Sequence, residues 1–293
     1  MNILVIKHGA FGDVVLAFRA FAGIRRAHPR ANITLLTTAP FKSLMARSPW
    51  FDHVEVDDRA PIWSIPASLR LRRQLHGFDM VYDLQTSARS SRYFRLAGRP
   101  AWSGIAKGCA FPHQNPGRRA MHTRERIAEQ LAIAGIKDLP EPDFAWLTSA
   151  DVSRHGLPER FALLVPGASL RRPEKRWPLS KFKALADALS LPRVVVGGPE
   201  EQMPADVPGV NLVGRTSLFE LAAITARASL AIGNDTGPMH LAAALGVPSV
   251  VLFSHASDPA LAAPRYPHGG RPTILRAPSL ADLPVAQVLS SLP

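Results

Sequence analysis

The sequence contains a single cysteine, Cys109, among its 293 residues. One cysteine can form neither an internal disulfide nor a cysteine-based metal site, and such scarcity is typical of a reducing compartment. The N-terminus lacks the charged region, apolar stretch and cleavage site of a signal peptide. Proline, glycine or charge interrupts every apolar run before it reaches the ~20 residues that span a bilayer. We therefore expect a cytoplasmic protein whose membrane contact is at most peripheral.

Acidic residues are also few, since 23 Asp and Glu oppose 35 Lys and Arg and give a net charge of +12. The excess is mainly N-terminal: residues 1–150 hold 21 basic and 12 acidic side chains. Such a surface attracts phosphates, nucleic acid or anionic lipid headgroups, although a general preference for arginine on solvated faces is an alternative. The sequence has no recognised nucleic-acid motif and few aromatic side chains for base stacking, so we expect no nucleic-acid partner.

Apolar strand-like runs alternate with helical periodicity along the chain, and this pattern predicts an α/β protein with parallel sheets. The predicted strands are residues 3–6, 33–37, 54–56, 80–84, 161–165, 193–196, 210–213, 230–232 and 249–253. The predicted helices are residues 14–27, 62–75, 125–134, 181–189, 218–226 and 239–245.

A proline-containing segment, residues 139–158, has little periodicity and is the best candidate for a linker. It predicts two Rossmann-like domains, residues 1–150 and 151–293, with ligands bound at the carboxyl ends of the strands. Residues 107–123 are rich in glycine, proline and basic side chains, so we expect a mobile loop there.

The first motif, Lys-His-Gly-Ala-Phe-Gly-Asp at residues 7–13, lies between a predicted strand and a predicted helix. Gly9 and Gly12 allow a tight turn, but the third glycine of the dinucleotide fingerprint is missing. Asp13 would repel a phosphate. It is therefore a candidate catalytic acid or base, or the N-cap of the helix, a position that aspartate favours.

The second motif, Gly-Asn-Asp-Thr-Gly-Pro-Met-His at residues 233–240, also joins a strand to a helix. Pro238 suits the first helical turn, so Thr236 and Gly237 lie at the positive end of that helix, where anions bind. Asp235 would oppose a phosphate unless it binds sugar hydroxyls, and a nucleotide sugar carries both groups. His240 is interpreted as a packed or capping residue rather than a metal ligand.

Two further signals follow predicted strands. Small residues up to Ser169 precede a run of cations, and together they form a candidate pyrophosphate site. The cations are Arg171, Arg172, Lys175 and Arg176. Glu200 or Glu201, after Gly197-Gly198-Pro199, could hold ribose hydroxyls, although an acid at a helix start is an equal alternative. Asp57 and Asp58 are interpreted as solvated acids at a strand end.

Together these motifs resemble the ADP-heptose:lipopolysaccharide heptosyltransferases of glycosyltransferase family 9. The specific pieces are Gly12-Asp13, Lys-Arg-Trp-Pro at residues 175–178, and residues 233–241. The resemblance implies the GT-B fold, in which two Rossmann-like domains face each other across a cleft. It also implies inverting transfer with no obligatory cofactor or metal, an ADP-sugar held by the C-terminal domain, and an acceptor held by the N-terminal domain.

The resemblance also implies roles for individual residues. Asp13 matches the general base, Lys175 the lysine on the donor phosphates, and Asp235 the acid on the sugar. Thr236 and Gly237 match the backbone donors to the pyrophosphate.

Other assignments are looser. Ser169 approximates the hydroxyl of the phosphate loop, and Glu200 or Glu201 matches the ribose acid. The predicted acceptor-binding residues are Lys7, Gly12, Arg89 and Arg92, with Arg95 as a further candidate.

We therefore expect a glycosyltransferase with a nucleotide-sugar donor and an acidic glycolipid acceptor at the inner membrane surface. One alternative is a family member that uses another nucleotide sugar or a different acceptor. A second is a nucleotide-binding or nucleic-acid-binding protein without catalysis, which would show steep salt dependence and no sugar transfer.

Overall fold

A computed structural model describes residues 1–61, 64–169, 172–199, 201, 207 and 209–293. The chain divides into two compact units, Met1–Asp143 and Phe144–Pro293. The division falls inside the proline-containing segment 139–158. Each unit contains one parallel six-stranded sheet with helices around it.

The described residues of the first unit form six strands and six α-helices. Its strands are β1 (Asn2–Ile6), β2 (Asn32–Thr37), β3 (His53–Val56), β4 (Met80–Asp83), β5 (Ala101–Gly104) and β6 (Phe111–Pro112). Its helices are α1 (Phe11–Leu16), α2 (Phe18–Ala27), α3 (Ala39–Met45), α4 (Ile65–Leu75), α5 (Ala88–Leu96) and α6 (Thr123–Ile133), with a 3-10 helix at Pro116–Ala120.

The sheet of the first unit has the strand order β3-β2-β1-β4-β5-β6. In the central strand β1, Ile3 pairs with Ile33 of β2 on one side and with Met80 of β4 on the other. The apolar side chains of β1 are buried, as expected for a parallel strand covered on both faces. The strand order reverses between β1 and β4, because β2 and β3 are added on one side of β1 and β4 to β6 on the other. The loops after β1 and β4 therefore lie at the switch point where doubly wound sheets bind ligands.

The second unit repeats this plan. Its strands are β7 (Ala162–Val165), β8 (Arg193–Val195), β9 (Val210–Asn211), β10 (Leu230–Asn234), β11 (Ser249–Phe253) and β12 (Thr273–Arg276). Its α-helices are α7 (Ala145–Thr148), α8 (Leu179–Ala188), α9 (Leu218–Arg227), α10 (Gly237–Ala244), α11 (Pro259–Ala262) and α12 (Val285–Ser290). Short 3-10 helices lie at Ser153–His155, Pro173–Lys175 and Leu280–Asp282.

The second sheet has the order β12-β11-β10-β7-β8-β9, so its switch point lies between β7 and β10. Gly233 of β10 pairs with Val165 of β7 at the carboxyl ends of the two strands. Below this point the buried rings of Trp177 and Phe182 pack edge to face, with ring centroids 4.9 Å apart. The core thus lies directly beneath the loops that carry the second motif.

Two predictions about the chain's course differ from the structure. The helix predicted at residues 14–27 begins earlier, at Phe11, and is divided at Ala17 into α1 and α2. The segment 107–123, predicted to be a mobile loop, contains β6, a 3-10 helix and the start of α6. In the described part of the chain, no helix is long and apolar enough to cross a membrane.

Candidate active site

The turn after β1 requires glycine at residue 9. Gly9 has φ +87°, and a Cβ atom built there would lie 2.5 Å from Cε2 of Phe41. Any larger residue would therefore strain the backbone and displace the Phe41 ring. The turn leads into α1, which places buried Gly12 and half-buried Asp13 in its first turn.

Asp13 is not the N-cap of α1, so that alternative was wrong: the N-cap is Ala10, and Asp13 is the third helical residue. Its Oδ2 accepts the Ala10 N–H at 3.3 Å, as an acid in the first helical turn commonly does. The carboxylate is held at the switch point while part of it stays exposed. This geometry permits contact with a ligand.

Two cations lie in the electrostatic neighbourhood of Asp13. Lys7 is buried, and its ammonium group donates to the Leu84 carbonyl oxygen at 3.4 Å. Burial lowers the pKa of Lys7, and the negative charges of Asp13 and Asp83 oppose that shift. Arg126 of α6 is the second cation, and the charge of Asp13 raises its pKa against the effect of burial. This end of the sheet therefore combines one accessible carboxylate with positive charge.

Asp57 is buried, so its interpretation as a solvated acid was wrong. Its Oδ2 accepts the Tyr93 hydroxyl at 2.5 Å and lies 3.1 Å from Nε2 of His8. Its Oδ1 accepts the Arg59 N–H at 2.8 Å. Burial raises the pKa of Asp57, but these contacts outweigh burial and hold it at about 2. The neighbouring Asp58 does match the prediction, because it is exposed and pairs with Arg70.

A cavity of about 670 Å³ lies between α4, α5 and the loop after β3, and we call it the arginine pocket. Five arginines line it together with apolar side chains: Arg59, Arg70, Arg89, Arg92 and Arg95. The Arg89 guanidinium donates to the carbonyl oxygens of Arg59 and Ala60 at 3.1 to 3.3 Å. Among the described residues, no hydrogen bond or ion pair engages the side chains of Arg92 and Arg95. These two cations can receive an anionic group.

In the second unit, Asp235 directly follows β10 and is the centre of a charged cluster. Its Oδ2 accepts the Lys175 ammonium at 2.6 Å and the Ser257 hydroxyl at 2.7 Å, and its Oδ1 lies 3.6 Å from Nε2 of His240. Burial raises the pKa of Asp235, but the contacts with His240 and Lys175 outweigh it and hold it at about 2. His240 is therefore a packed partner of a carboxylate, as predicted.

Helix α10 begins beside this cluster, with Thr236 as its N-cap and Gly237 and Pro238 as its first residues. The first N–H groups of a helix have no partner within it, and they carry its positive partial charge. The Thr236 hydroxyl does not cap the helix; it is buried and has no hydrogen-bond partner in the described ranges. The Lys175 ammonium and the start of α10 thus offer positive charge to an anion beside Asp235.

Asn234, the last residue of β10, forms hydrogen bonds that hold the segment between β7 and α8 in place. Its amide nitrogen donates to the Pro166 carbonyl oxygen at 2.6 Å, and its amide oxygen accepts the Trp177 N–H at 3.0 Å. The fully buried Asn234 side chain thereby joins the two ends of the segment between β7 and α8. No role for Asn234 is predicted from the sequence, although a polar residue at the end of an apolar strand is a signal of such a role.

The loops after β7 and β8 carry the looser candidates. Ser169 is exposed, and its carbonyl oxygen accepts the Arg172 N–H at 2.9 Å. The Glu201 carboxylate lies over Gly167, where a Cβ atom would collide with its Oε2, and the same oxygen accepts the Gly198 N–H at 3.0 Å. An acid therefore stands at the carboxyl end of β7. Glu200 and Arg171 lie outside the described residues.

The comparisons with known proteins agree with this geometry. The model of glycosyltransferase family 9 (heptosyltransferase) matches residues 68–279. The chain belongs to this family. It is 25% identical to the lipooligosaccharide heptosyltransferase 2 of Haemophilus influenzae, over 94% of this chain and 88% of that one. It is 27% identical to the lipopolysaccharide heptosyltransferase 2 of Escherichia coli, over 88% and 84% of the two chains.

Solved structures confirm the predicted GT-B fold class of this glycosyltransferase. A family 9 glycosyl transferase from Veillonella parvula has a TM-score of 0.79 and 23% identity, covering 99% of this chain and 95% of that one. The E. coli heptosyltransferase WaaC with ADP has a TM-score of 0.76 and 21% identity, covering 99% and 98%. The protein is therefore an enzyme that transfers sugars.

The structure brings four predicted donor-site residues together, but it places the predicted acceptor-binding residues at two separate locations. Lys175, Asp235, Thr236 and Gly237 meet at the switch point of the second unit. Arg89 and Arg92 share the arginine pocket, whereas Lys7 and Gly12 lie with Asp13 at the turn after β1. Where the chain is described, no group of three or more His, Cys, Asp or Glu side chains could hold a metal ion.

Proposed function

We propose that this glycosyltransferase moves heptose from ADP-heptose to a hydroxyl of an acidic inner-core lipopolysaccharide acceptor, with inversion at the anomeric carbon. The observation that carries the proposal is the Lys175–Asp235 pair, at 2.6 Å, beside the start of α10. The names of the curated relatives and of the E. coli structure with ADP support the choice of sugar and nucleotide.

The charged cluster explains how a nucleotide sugar binds there. Without a ligand, Lys175 and Asp235 neutralise each other. When the donor enters, the ammonium group turns to the diphosphate together with the Thr236 and Gly237 N–H groups, and Asp235 accepts hydroxyls of the sugar. Ser169 and Glu201, or Glu200, complete the donor site at the phosphates and the ribose.

In the transfer step, the Asp13 carboxylate takes the proton of the acceptor hydroxyl. The hydroxyl oxygen forms a bond to the anomeric carbon as the bond from that carbon to the diphosphate oxygen breaks. A base of this kind contributes ~100-fold to ~10,000-fold to the rate. Lys175 and the start of α10 stabilise the charge that develops on the departing ADP, so no metal ion is obligatory in this scheme.

The arginine pocket is proposed to hold the anionic part of the acceptor. Its mixed lining of guanidinium groups and apolar side chains suits a glycolipid with phosphate or carboxylate groups. The enzyme would then work in the cytoplasm at the inner membrane surface, drawn there by its basic first unit.

Calorimetric titration with ADP, UDP and GDP tests the donor assignment. We expect ADP to bind at least tenfold more tightly than the other two nucleotides. Equal or tighter binding of UDP would contradict the proposal and favour the alternative of a family member that uses another nucleotide sugar.

A further inference from the structure

His8 is fixed on three sides, directly before the turn that leads to Asp13. Its backbone N–H donates to Oε1 of Gln85 at 2.9 Å, and its carbonyl oxygen accepts the Thr38 hydroxyl at 3.0 Å. Its ring nitrogen Nε2 lies 3.1 Å from Oδ2 of Asp57. Only 2% of His8 is exposed, so its ring is not available to a substrate. These contacts and this burial indicate that His8 holds the turn in place and does not act as a catalytic base.

Asp57 is the residue that holds the His8 ring and links it to the loop after β3 and to α5. The carboxylate is 4% exposed and is held by Tyr93 at 2.5 Å and by the Arg59 N–H at 2.8 Å, in addition to His8. A buried charge is costly unless hydrogen bonds and partners satisfy it. Here two donors and the His8 ring surround it, and they come from the turn after β1, the loop after β3, and α5.

The same carboxylate also forms part of the arginine pocket. Asp57, Arg59, Arg89 and Tyr93 all line that pocket. Arg59 adopts the left-handed conformation, with φ +51°, which its contact with Asp57 and the Arg89 bond to its carbonyl oxygen stabilise. The Asp57 side chain thus contacts both one wall of the arginine pocket and His8, which lies in the turn before Asp13.

We propose that Asp57 is a positioning residue, which holds His8 and thereby fixes the turn carrying Asp13 relative to the arginine pocket. The inference rests on the proposed function, in which Asp13 is the base and the pocket holds the acceptor's anionic group. An acceptor anchored by its anion reacts only if the base stands at a fixed distance from that anchor. A misplacement of about 1 Å at a reacting centre can cost ~100-fold in rate.

Asp57→Asn and Tyr93→Phe test this role, with Asp52→Asn as the matched control. Asp52 also has a lowered pKa, accepts a backbone N–H and pairs with Arg25, but it lies at the amino edge of the same sheet. We expect kcat to fall ~10-fold to ~100-fold in the two Asp57-network variants, with an unchanged KM for the ADP-sugar. The control should lose thermal stability and keep its kcat. Wild-type kcat in Asp57→Asn, or an equal loss of kcat in Asp52→Asn, would overturn the proposal.

A second readout does not depend on sugar transfer. The amide resonances of Gly9 and Gly12, recorded by NMR, should shift in Asp57→Asn and Tyr93→Phe and stay in place in Asp52→Asn. Unshifted resonances in the two network variants overturn the positioning role, whatever the enzyme transfers. If they shift while wild-type enzyme transfers no sugar from any ADP-sugar, the positioning of the turn stands and the proposed function fails.

Discussion

Asp13 and Asp57 are both carboxylates at the carboxyl edge of the first sheet, yet their surroundings differ. Asp57 is buried and held by a hydroxyl, a backbone N–H and the His8 ring. Asp13 is half-buried, and the Ala10 N–H is its one hydrogen-bond donor in the described part of the chain. A saturated carboxylate supports structure, whereas one with a vacant oxygen can accept a proton from a ligand.

Replacing Asp13 by asparagine separates catalysis from helix initiation. The amide oxygen can still accept the Ala10 N–H, so folding and ADP affinity should persist. The amide cannot take a proton from the acceptor, and we expect turnover to fall by ~100-fold or more. Thermal melting, ADP titration and the transfer rate are measured side by side on Asp13→Asn and wild type. Near-normal transfer by the folded variant would leave Asp13 with a role at the helix start only.

In the proposed mechanism, Lys175 is the cation that faces the diphosphate both before and during its departure. We expect Lys175→Ala to weaken ADP binding at least tenfold and to lower kcat by ~100-fold, because one donor to a developing charge is lost. Lys183→Ala is the control, since that lysine pairs with Asp187 on an exposed helix face. Calorimetry and steady-state kinetics measure both effects. Unchanged kinetics in Lys175→Ala would move the role to another cation of the same loop, Arg172 or Arg176.

In the proposed function, the start of α10 binds the diphosphate together with Lys175, which lies in the segment between β7 and α8. Asn234 joins the two ends of that segment. Asn234→Ala removes the partners of the Pro166 carbonyl oxygen and of the Trp177 N–H inside the protein. We expect the free energy of unfolding to fall by about 2 to 4 kcal/mol, because buried polar groups would lose their hydrogen bonds.

Asn211→Ala is the control for this change, since its amide oxygen accepts one backbone N–H at a partly exposed strand end. It should cost less than half as much stability, as measured by urea unfolding. If the two variants lost equal stability, the hydrogen bonds of Asn234 would not be what holds the segment between β7 and α8 in place.

Central strands were predictable from sequence because they are short apolar runs buried on both faces, as in β1, β7 and β11. Two edge strands were missed, since β12 is half-exposed and β6 has two residues, whereas the edge strands β3 and β9 were predicted. The inner strand β5 was also missed. Helix α5 was also missed, because serines and arginines fill five of its nine positions. Short or half-exposed strands carry a weaker apolar pattern than buried ones, so they are predicted less consistently.

Some residues of the candidate site were likewise predictable from the sequence, and others were not. Asp235, Thr236 and Gly237 were predictable because a strand, a loop and a helix start follow one another directly in the chain. The burial of Asp57 was not, because it depends on His8 and Tyr93, which lie 49 and 36 positions away in sequence. Short motifs reveal local geometry, whereas contacts between distant segments require the fold.

The positive charge of the protein is now assigned in part to a defined surface, the arginine pocket. Replacing Arg92 and Arg95 by glutamine should release the protein from vesicles containing anionic lipid at low salt, because no hydrogen bond or ion pair with a described residue engages these two guanidinium groups. Replacing Arg72 and Arg73, which are exposed on α4 outside the pocket, removes the same charge. Vesicle sedimentation compares the two double variants. Equal retention would show that net charge, and not the pocket, governs attachment.

The measurement that tests the central claim most directly is mass spectrometry of the product formed from ADP-heptose and an acidic lipopolysaccharide inner-core acceptor. The proposed function predicts that the acceptor gains the mass of one heptose, that ADP is released in equal amount, and that Asp13→Asn forms the product at least ~100-fold more slowly. An unmodified acceptor, with wild-type enzyme that is folded and binds ADP, would contradict heptosyl transfer to this class of acceptor.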